Sequence, residues 1–528
     1  MELTYKGIQN RNSWTDKGIR LPEFDIDAMK RETARKPVWI HFGAGNIFRG
    51  FIGSIAQRLL NSGNMASGII AAESFDLDII DKIYDPHDDL TLNVLMDKGS
   101  GLHMEVLAGI AESVKADDHE KLRAMAESPS LQLLSFTITE KGYAVSDTEG
   151  RLFSVVESDI ENGPDAPKHT MSIIASMLYD RYRACAAPIA AVSMDNCSHN
   201  GEKLRNGVMA VARGWAERGY ADQGFIDYLS EKVSFPWSMI DKITPRPDER
   251  VRKQLEDIGI EDMNIAVTDK NTYIAPFVNA EIPQYLVIED DFPNGRPPFE
   301  KAGVYMTTRE TVNKAETMKV TSCLNPLHTG LAVFGCMLGY TGIHEEMQDP
   351  ELSRLVRRIA DEGMRVVIDP GIIDPADFVN EVIDERLQNP NIPDTPQRIA
   401  TDTSQKLSIR YGETIKAYER SSELDASKLE AIPMVIAGWL RYLMAEDDSG
   451  NSFTPSPDPM LSVMRERLDG IKTGSPESTE GHLKDILSNE VLFGTDLYAA
   501  GLGEKTERLF ASMLKGPGAV RAALKTLK

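Results

Sequence analysis

The chain has 528 residues, with 58 Lys and Arg against 81 Asp and Glu and a formal net charge of −23. That length exceeds one compact core and predicts roughly two to four domains. The acidity argues against nucleic acid or an anionic membrane as partner, so any anionic ligand has to be gathered by a local cluster of Arg and Lys. A hydrophobic content of 41% with 26% charged residues excludes disorder throughout.

Cys185, Cys197, Cys323 and Cys336 show no metal-ligand spacing, so no metal site is expected. Free thiols point to a reducing compartment. The N-terminal MELTYKGIQNRNSW lacks a signal-peptide apolar stretch. The strongest apolar runs, LAVFGCMLGY from Leu331 and IPMVIAGWL from Ile432, are too short to span a bilayer. A soluble, cytoplasmic protein is expected, its oligomeric state left open.

After a polar leader, VWIHF (38–42) is a short apolar run bounded by proline and glycine and reads as a buried strand. GAGNIFRGFIGSIAQRLL follows with Ile47, Phe51, Ile52, Ile55 and Leu59 at helical spacing. GIIAAES is a second strand ending in an acid. LQLLSFTI (131–138) and PIAAVSM (188–194) are further strands, separated by helical patterns. Strands alternating with helices predict a parallel, doubly wound α/β sheet. DDFPNGRPPFEK (290–301) suits a domain crossing, and beyond it the patterns at 326–340, 351–362, 429–446, 460–468 and 504–514 are helical. The expected organisation is an α/β domain over residues 1–298 and a mostly α-helical domain over 299–528.

Gly43 and Gly45 sit where a dinucleotide fingerprint has to sit, between a strand and a helix. The first permits the tight turn, the second lets backbone approach a pyrophosphate, and the helix N-terminus at Asn46, Ile47, Phe48 and Arg49 offers free N–H groups. Phe48 replaces the third glycine of the G-x-G-x-x-G pattern, and Gly50 is expected to relieve the packing in its place. Glu73 has the spacing of an acid that holds an adenosine ribose, and AAESFDLD contains no Arg or Lys to welcome a 2′-phosphate. NAD is therefore the expected cofactor.

IHFGAGNIFRGFIG resembles the cofactor loop of the polyol-specific long-chain dehydrogenases, the mannitol dehydrogenase family. TEKGY (139–143), SMDNCSHNGEKLR (193–205), DKITPR (241–246), EDDFPNGRPPFEKAG (289–303), ETMKVTSCLNPLH (316–328) and QRIATDTSQK (397–406) resemble family segments in the same order. The resemblance implies a Rossmann-type N-terminal domain, a helical substrate domain and zinc-independent hydride transfer on a sugar acid or polyol. It makes Lys319 the general acid–base, Asn325 and Asn196 the residues that hold the reacting oxygen, and His328 the residue that fixes the substrate. Glu316 passes the lysine's proton to solvent, and Asp241, Arg398 and Lys406 contact the substrate. The long chain, its N-terminal extension and the CLNPLHT variant point to interconversion of D-fructuronate and D-mannonate. Mannitol 2-dehydrogenase and tagaturonate reductase activities are the alternatives. Lys319 and Asn325 are one residue further apart than the family pattern leads one to expect.

The residues themselves allow a similar chemistry. Proton transfer at a secondary alcohol without zinc needs a side chain, and a lysine serves if its pKa is drawn toward neutrality. Taken alone, Lys319 reads as a solvated helix-end lysine. Asn325 before Pro326 suits a helix cap, and His328 three residues on falls on the same side of the first turn. Asp195 and Asn196 follow a strand, at the end of the sheet where ligands bind in doubly wound folds. His199 is expected at the surface, His41 in packing, and Cys197 and Cys323 as small hydrophobes.

Overall fold

A computed structural model describes residues 1–99 and 101–528 and divides the chain into two compact units, Met1–Asn313 and Lys314–Lys528. The first contains strands β1 (Trp39–Phe42), β2 (Ile69–Glu73), β3 (Thr91–Met96), β4 (Leu102–Leu107), β5 (Ile110–Lys115), β6 (Leu133–Phe136), β7 (Ile189–Ser193) and β8 (Val233–Ser234). It continues with β9 (Ser238–Asp241), β10 (Ala266–Val267), β11 (Tyr273–Ile274), β12 (Phe277–Glu281), β13 (Tyr285–Glu289) and β14 (Tyr305–Thr307).

The central sheet has six parallel strands in the order β5-β2-β1-β6-β7-β8. Successive side chains leave a strand on opposite faces. Ile40, Phe42, Ile70, Ala72, Leu134 and Phe136 accordingly join one buried cluster with Trp215 and Phe225, and Trp39, Ile69, Ala71 and Leu133 join another with Phe48, Phe51 and Ile55. Both faces being covered, the strands are apolar without alternation, as a doubly wound sheet requires. β1 pairs with β2 on one side and β6 on the other, which puts the topological switch point, where such folds bind ligands, at the C-terminal end of β1.

Three smaller sheets flank this core: β12-β3-β4, β14-β13-β9 and the two-stranded β10-β11. The expected boundary was 298; the first compact unit runs to Asn313 and includes β14. Phe299, Ala302 and Val304 lie in the first unit's core, Trp39 and Phe299 meet edge to face at 5.1 Å, and β14 pairs in parallel with β13. The Pro/Gly-rich stretch is thus stitched into the α/β unit instead of leaving it.

The second unit is helical. Asn325–Leu338 and Ala431–Leu443 are buried over nearly their whole length, and Pro350–Met364 and Gly503–Met513 pack as amphipathic helices with one buried stripe. Glu362 accepts from the N–H groups of Glu430, Ala431 and Ile432 at 2.6, 2.8 and 3.0 Å, so a carboxylate meets the positive end of helix Ala431–Leu443. Two π-helical turns, Lys319–Cys323 and Ser408–Gly412, are each tied to the segment that follows the other. The Tyr411 hydroxyl donates to the Pro326 carbonyl at 2.7 Å, and Thr414 Oγ1 donates to that of Thr321 at 3.3 Å. No helix among the described residues is long and apolar enough to cross a membrane.

Gly43 carries the first test. Its φ is +102°, and a β-carbon there would lie 2.2 Å from the Thr137 carbonyl oxygen just past β6. Gly43→Ala should lower stability by about 2–4 kcal/mol through backbone strain and that contact, measured as a urea midpoint, and should abolish NADH binding.

Candidate active site

In the α/β unit the turn after β1 has the build of a dinucleotide cradle. Beside Gly45 no atom lies within 4 Å of where a β-carbon would stand, and the helical first turn begins there, with the Arg49 N–H bonded to the Gly45 carbonyl at 3.1 Å. The N–H groups of Asn46, Ile47 and Phe48 precede the first intrahelical bond, so the residues present fit a pyrophosphate. Gly50 does relieve packing, but against β12: a β-carbon there would meet Val278 Cγ1 at 2.8 Å. Phe48 and Arg49 point inward. Phe48 is fully buried and stacks on His41 with centroids 4.1 Å apart, while Arg49 Nε donates to Thr91 Oγ1 at 3.2 Å. Their side chains brace the turn from beneath; at Phe48 the main-chain N–H is left for a ligand, while that of Arg49 is taken by Gly45.

Glu73, 5% exposed at the end of β2, is tied to this turn directly. One carboxylate oxygen accepts from the Ala44 N–H at 2.7 Å, and the other accepts from the N–H groups of Phe75 and Asp76 at 2.8 and 3.0 Å. A carboxylate offers about four acceptor sites, so three are filled by main chain and about one is left for a ribose hydroxyl. Sequence reasoning located this acid but had no means of seeing that it also holds the loop.

Asn196 follows β7 and is exposed, and Asp241 is the last residue of β9 and is 6% exposed. The organiser of this strand end is Asp195. Its carboxylate accepts from the Ile138 and Thr139 N–H groups at 2.8 and 3.0 Å and from the Tyr143 hydroxyl at 2.6 Å. Burial pushes its pKa up, against those hydrogen bonds. The segments TEKGY and SMDN are therefore one structural device. His41 is a packing residue, bonded to Ser135 and Thr137 hydroxyls at 2.6 and 2.8 Å, and burial holds its pKa far down. His199 is half exposed and stacks on Trp237.

In the helical unit, Glu316 lies near the end of helix Arg309–Met318 and the π turn begins at Lys319, which is 1% exposed. The Leu324 N–H bonds to the Lys319 carbonyl at 3.1 Å, five residues back, so this turn holds one residue more than an α-turn. The extra residue noted between Lys319 and Asn325 falls within it. Asn325 then opens the buried helix, and His328 sits one turn in.

His328 Nε2 lies 3.1 Å from Asp394 Oδ2, a close contact too bent to complete a hydrogen bond for either atom. Burial lowers the histidine's pKa, the carboxylate opposing it; burial raises that of Asp394, but His328 and Arg398 more than offset this and hold it low. The result at neutral pH is a neutral imidazole beside a carboxylate, which favours the Nε2–H tautomer and leaves Nδ1 as acceptor. Arg398 pairs with the same carboxylate at 2.8 Å and is largely exposed. Lys406 Nζ donates to the Ile399 carbonyl at 3.2 Å and to that of Thr401, and burial brings its pKa down to about 8. Arg410 reaches the same turn from Ser408–Gly412, donating to Thr329 Oγ1 and, at 3.4 Å, to the Asn325 carbonyl. Arg398, His328 and Arg410 thus gather at the start of one helix, with Lys406 one turn before Arg410. Asp394 and Arg410 were not anticipated: the first reads as a turn acid in NIPDTP, the second as a helix-surface arginine. Cys323 is buried, its pKa pushed up to about 12, and offers no thiolate.

A doubly wound unit with a dinucleotide turn at its switch point, followed by a helical unit carrying a buried lysine with partly buried amide and imidazole groups, defines an oxidoreductase acting on CH–OH. Residues 38–301 match the mannitol dehydrogenase Rossmann domain and residues 311–511 the mannitol dehydrogenase C-terminal domain, and the chain belongs to the mannitol dehydrogenase family. It is 52% identical to a D-mannonate oxidoreductase of Thermotoga maritima over 99% of this chain and 98% of that one. A mannitol 2-dehydrogenase of Pyricularia oryzae is 27% identical over 94% of this chain and 93% of its own. The Pseudomonas fluorescens mannitol 2-dehydrogenase, solved with NAD and D-mannitol, superposes with a TM-score of 0.72 at 25% identity, covering 100% of this chain and 99% of that one.

Glu73→Gln tests the cofactor turn. An amide in place of the carboxylate has to present its NH₂ to at least one main-chain N–H. NADH binding, read by fluorescence titration, should weaken by roughly tenfold or more, and the preference over NADPH should narrow. Unchanged affinity for both cofactors would place the ribose contact elsewhere.

Proposed function

We propose that the protein is an NAD-dependent oxidoreductase that interconverts D-mannonate and D-fructuronate. The reading is carried by the 52% identity to the Thermotoga maritima D-mannonate oxidoreductase along almost the whole chain, against 27% to the mannitol 2-dehydrogenase. NAD supplies the hydride acceptor in the oxidative direction. Lys319 takes the carbinol proton in oxidation and returns it to the carbonyl oxygen in reduction. Its 1% exposure keeps bulk water from that transfer. Glu316, three residues earlier and partly exposed, leads the proton to solvent. Asn325 donates to the reacting oxygen, where an amide stabilises developing alkoxide charge. His328, its tautomer set by Asp394, accepts a substrate hydroxyl. Asn196 and Asp241 are assigned by resemblance alone, the first to the reacting oxygen and the second to substrate. Arg398 and Lys406 meet the substrate's polar end.

A panel of fructuronate, tagaturonate, fructose and fructose 6-phosphate, followed by NADH absorbance, tests the substrate. Fructuronate should be reduced fastest; activity confined to fructose would replace the reading with mannitol 2-dehydrogenase. Lys319→Ala should lower kcat by ~10²–10⁴-fold with the NADH dissociation constant unchanged, and near-wild-type turnover would remove the lysine from the mechanism.

Lys406 adds a pH dependence. Its ammonium is charged below about 8 and neutral above it, so the KM for a sugar acid should rise as pH passes through about 8. Lys406→Met should erase that step in a KM–pH profile.

A further inference from the structure

Arg410 is anchored at one end only. Its Nη1 donates to Thr329 Oγ1 and the Asn325 carbonyl, while Nε and Nη2 have no partner among the described residues. The side chain is held in place from behind, since Tyr411 is buried and bonded to Pro326 and the Arg410 N–H bonds to the Lys406 carbonyl at 2.9 Å. Lys406 lies one turn earlier and uses its donors on two backbone carbonyls. Neither cation has a carboxylate within ion-pair distance among the described residues; Asp402 and Asp458 act on Lys406 only from further off.

In a chain with 81 acids against 58 Lys and Arg, the lack of a partner does not reflect a shortage of carboxylates. A partly buried cation without a counter-ion is unfavourable unless a ligand supplies the opposite charge. Arg398 and Arg410 both act on His328, but Arg398 is paired with Asp394, whose carboxylate acts on the imidazole in the opposite sense; Arg410 is the cation left unneutralised beside the start of helix Asn325–Leu338. That helix end itself favours an anion. A guanidinium with two adjacent N–H groups unused matches a carboxylate in the bidentate geometry that a lysine cannot reproduce.

We propose that Arg410, through its Nε–Nη2 edge, binds the carboxylate of the sugar-acid substrate, and with Lys406 sets the preference for a sugar acid over a neutral polyol. The proposal rests on the functional reading above and assigns the specificity of that reading to a residue outside the expected set. Both substrates carry secondary hydroxyls; only the acid carries a charge, and this is where that charge is answered.

Steady-state oxidation of D-mannonate by wild type, Arg410→Ala and Arg410→Lys, with calorimetric binding of D-mannonate and D-mannitol to each, tests it. Arg410→Ala should raise the KM and Kd for D-mannonate by roughly 10–10²-fold with kcat changed far less, and should leave D-mannitol binding within about threefold. Arg410→Lys should recover part of the loss and keep the Thr329 contact, so a folding defect in the alanine variant would not decide the matter. Wild-type KM for D-mannonate should also rise with salt, more steeply than that of Arg410→Ala. If wild type oxidises D-mannonate and Arg410→Ala retains its KM, or loses mannitol binding equally, the proposal is overturned and the functional reading stands. If wild type oxidises no hexonate, both fall.

Discussion

Helix Asn325–Leu338 is buried on nearly every side, with Leu327, Leu331, Val333 and Phe334 fully inside the helical unit. Shifting it would mean repacking that core, where a single large-to-small change costs about 2–5 kcal/mol. Its first turn is therefore a fixed platform, and the candidate site is arranged around it. Asn325 and His328 ride on the helix, Asp394 and Arg398 approach one side, and the Ser408–Gly412 turn is bonded to its opening residues through Tyr411 and Arg410.

An acid-rich composition has two uses in this molecule. Most acids are at the surface and keep anions away in general. A few are buried and act as staples for main-chain N–H groups: Glu73 joins β2 to the dinucleotide turn, Asp195 joins β7 to the segment after β6, and Glu362 closes the N-terminus of Ala431–Leu443. Each satisfies donors that burial would otherwise leave unpaired. Against that background the small cationic enclave around His328 is a local reversal of sign. Charge selection can then operate at one place while the rest of the surface discourages non-specific anion binding.

The central sheet was legible because parallel strands covered on both faces are nearly unbroken apolar runs, as in WIHF, IIAAE, LLSF and IAAVS. The flanking sheets were not: Tyr305–Thr307 and Leu102–Leu107 carry exposed positions, and the buried strands β9 and β12 hold Ser238, Asp241, Asn279 and Glu281, which break the apolar run. The Pro/Gly-rich stretch at 290–301 marked the region of the crossing, while the pairing of Tyr305–Thr307 with β13 carries the first compact unit on to Asn313. In the candidate site, the turn glycines, Glu73 and the Lys319–His328 segment were found from motif and spacing. Asp394 and Arg410 are far from that segment in sequence, and their neighbours suggest a turn and an exposed helix; only folding brings them to His328. Phe48 and Arg49 lie at the expected turn, and the inward direction of their side chains was not readable from the motif.

The π turn at Lys319–Cys323 bears on how this segment tolerates changes in length. An added residue in a regular α-helix rotates everything beyond it by about 100°. Here the widened turn takes up the surplus locally, and the residues on either side keep their facing directions. Segment length and side-chain azimuth are thereby decoupled: an extra residue between lysine and asparagine need not set the two groups on different faces.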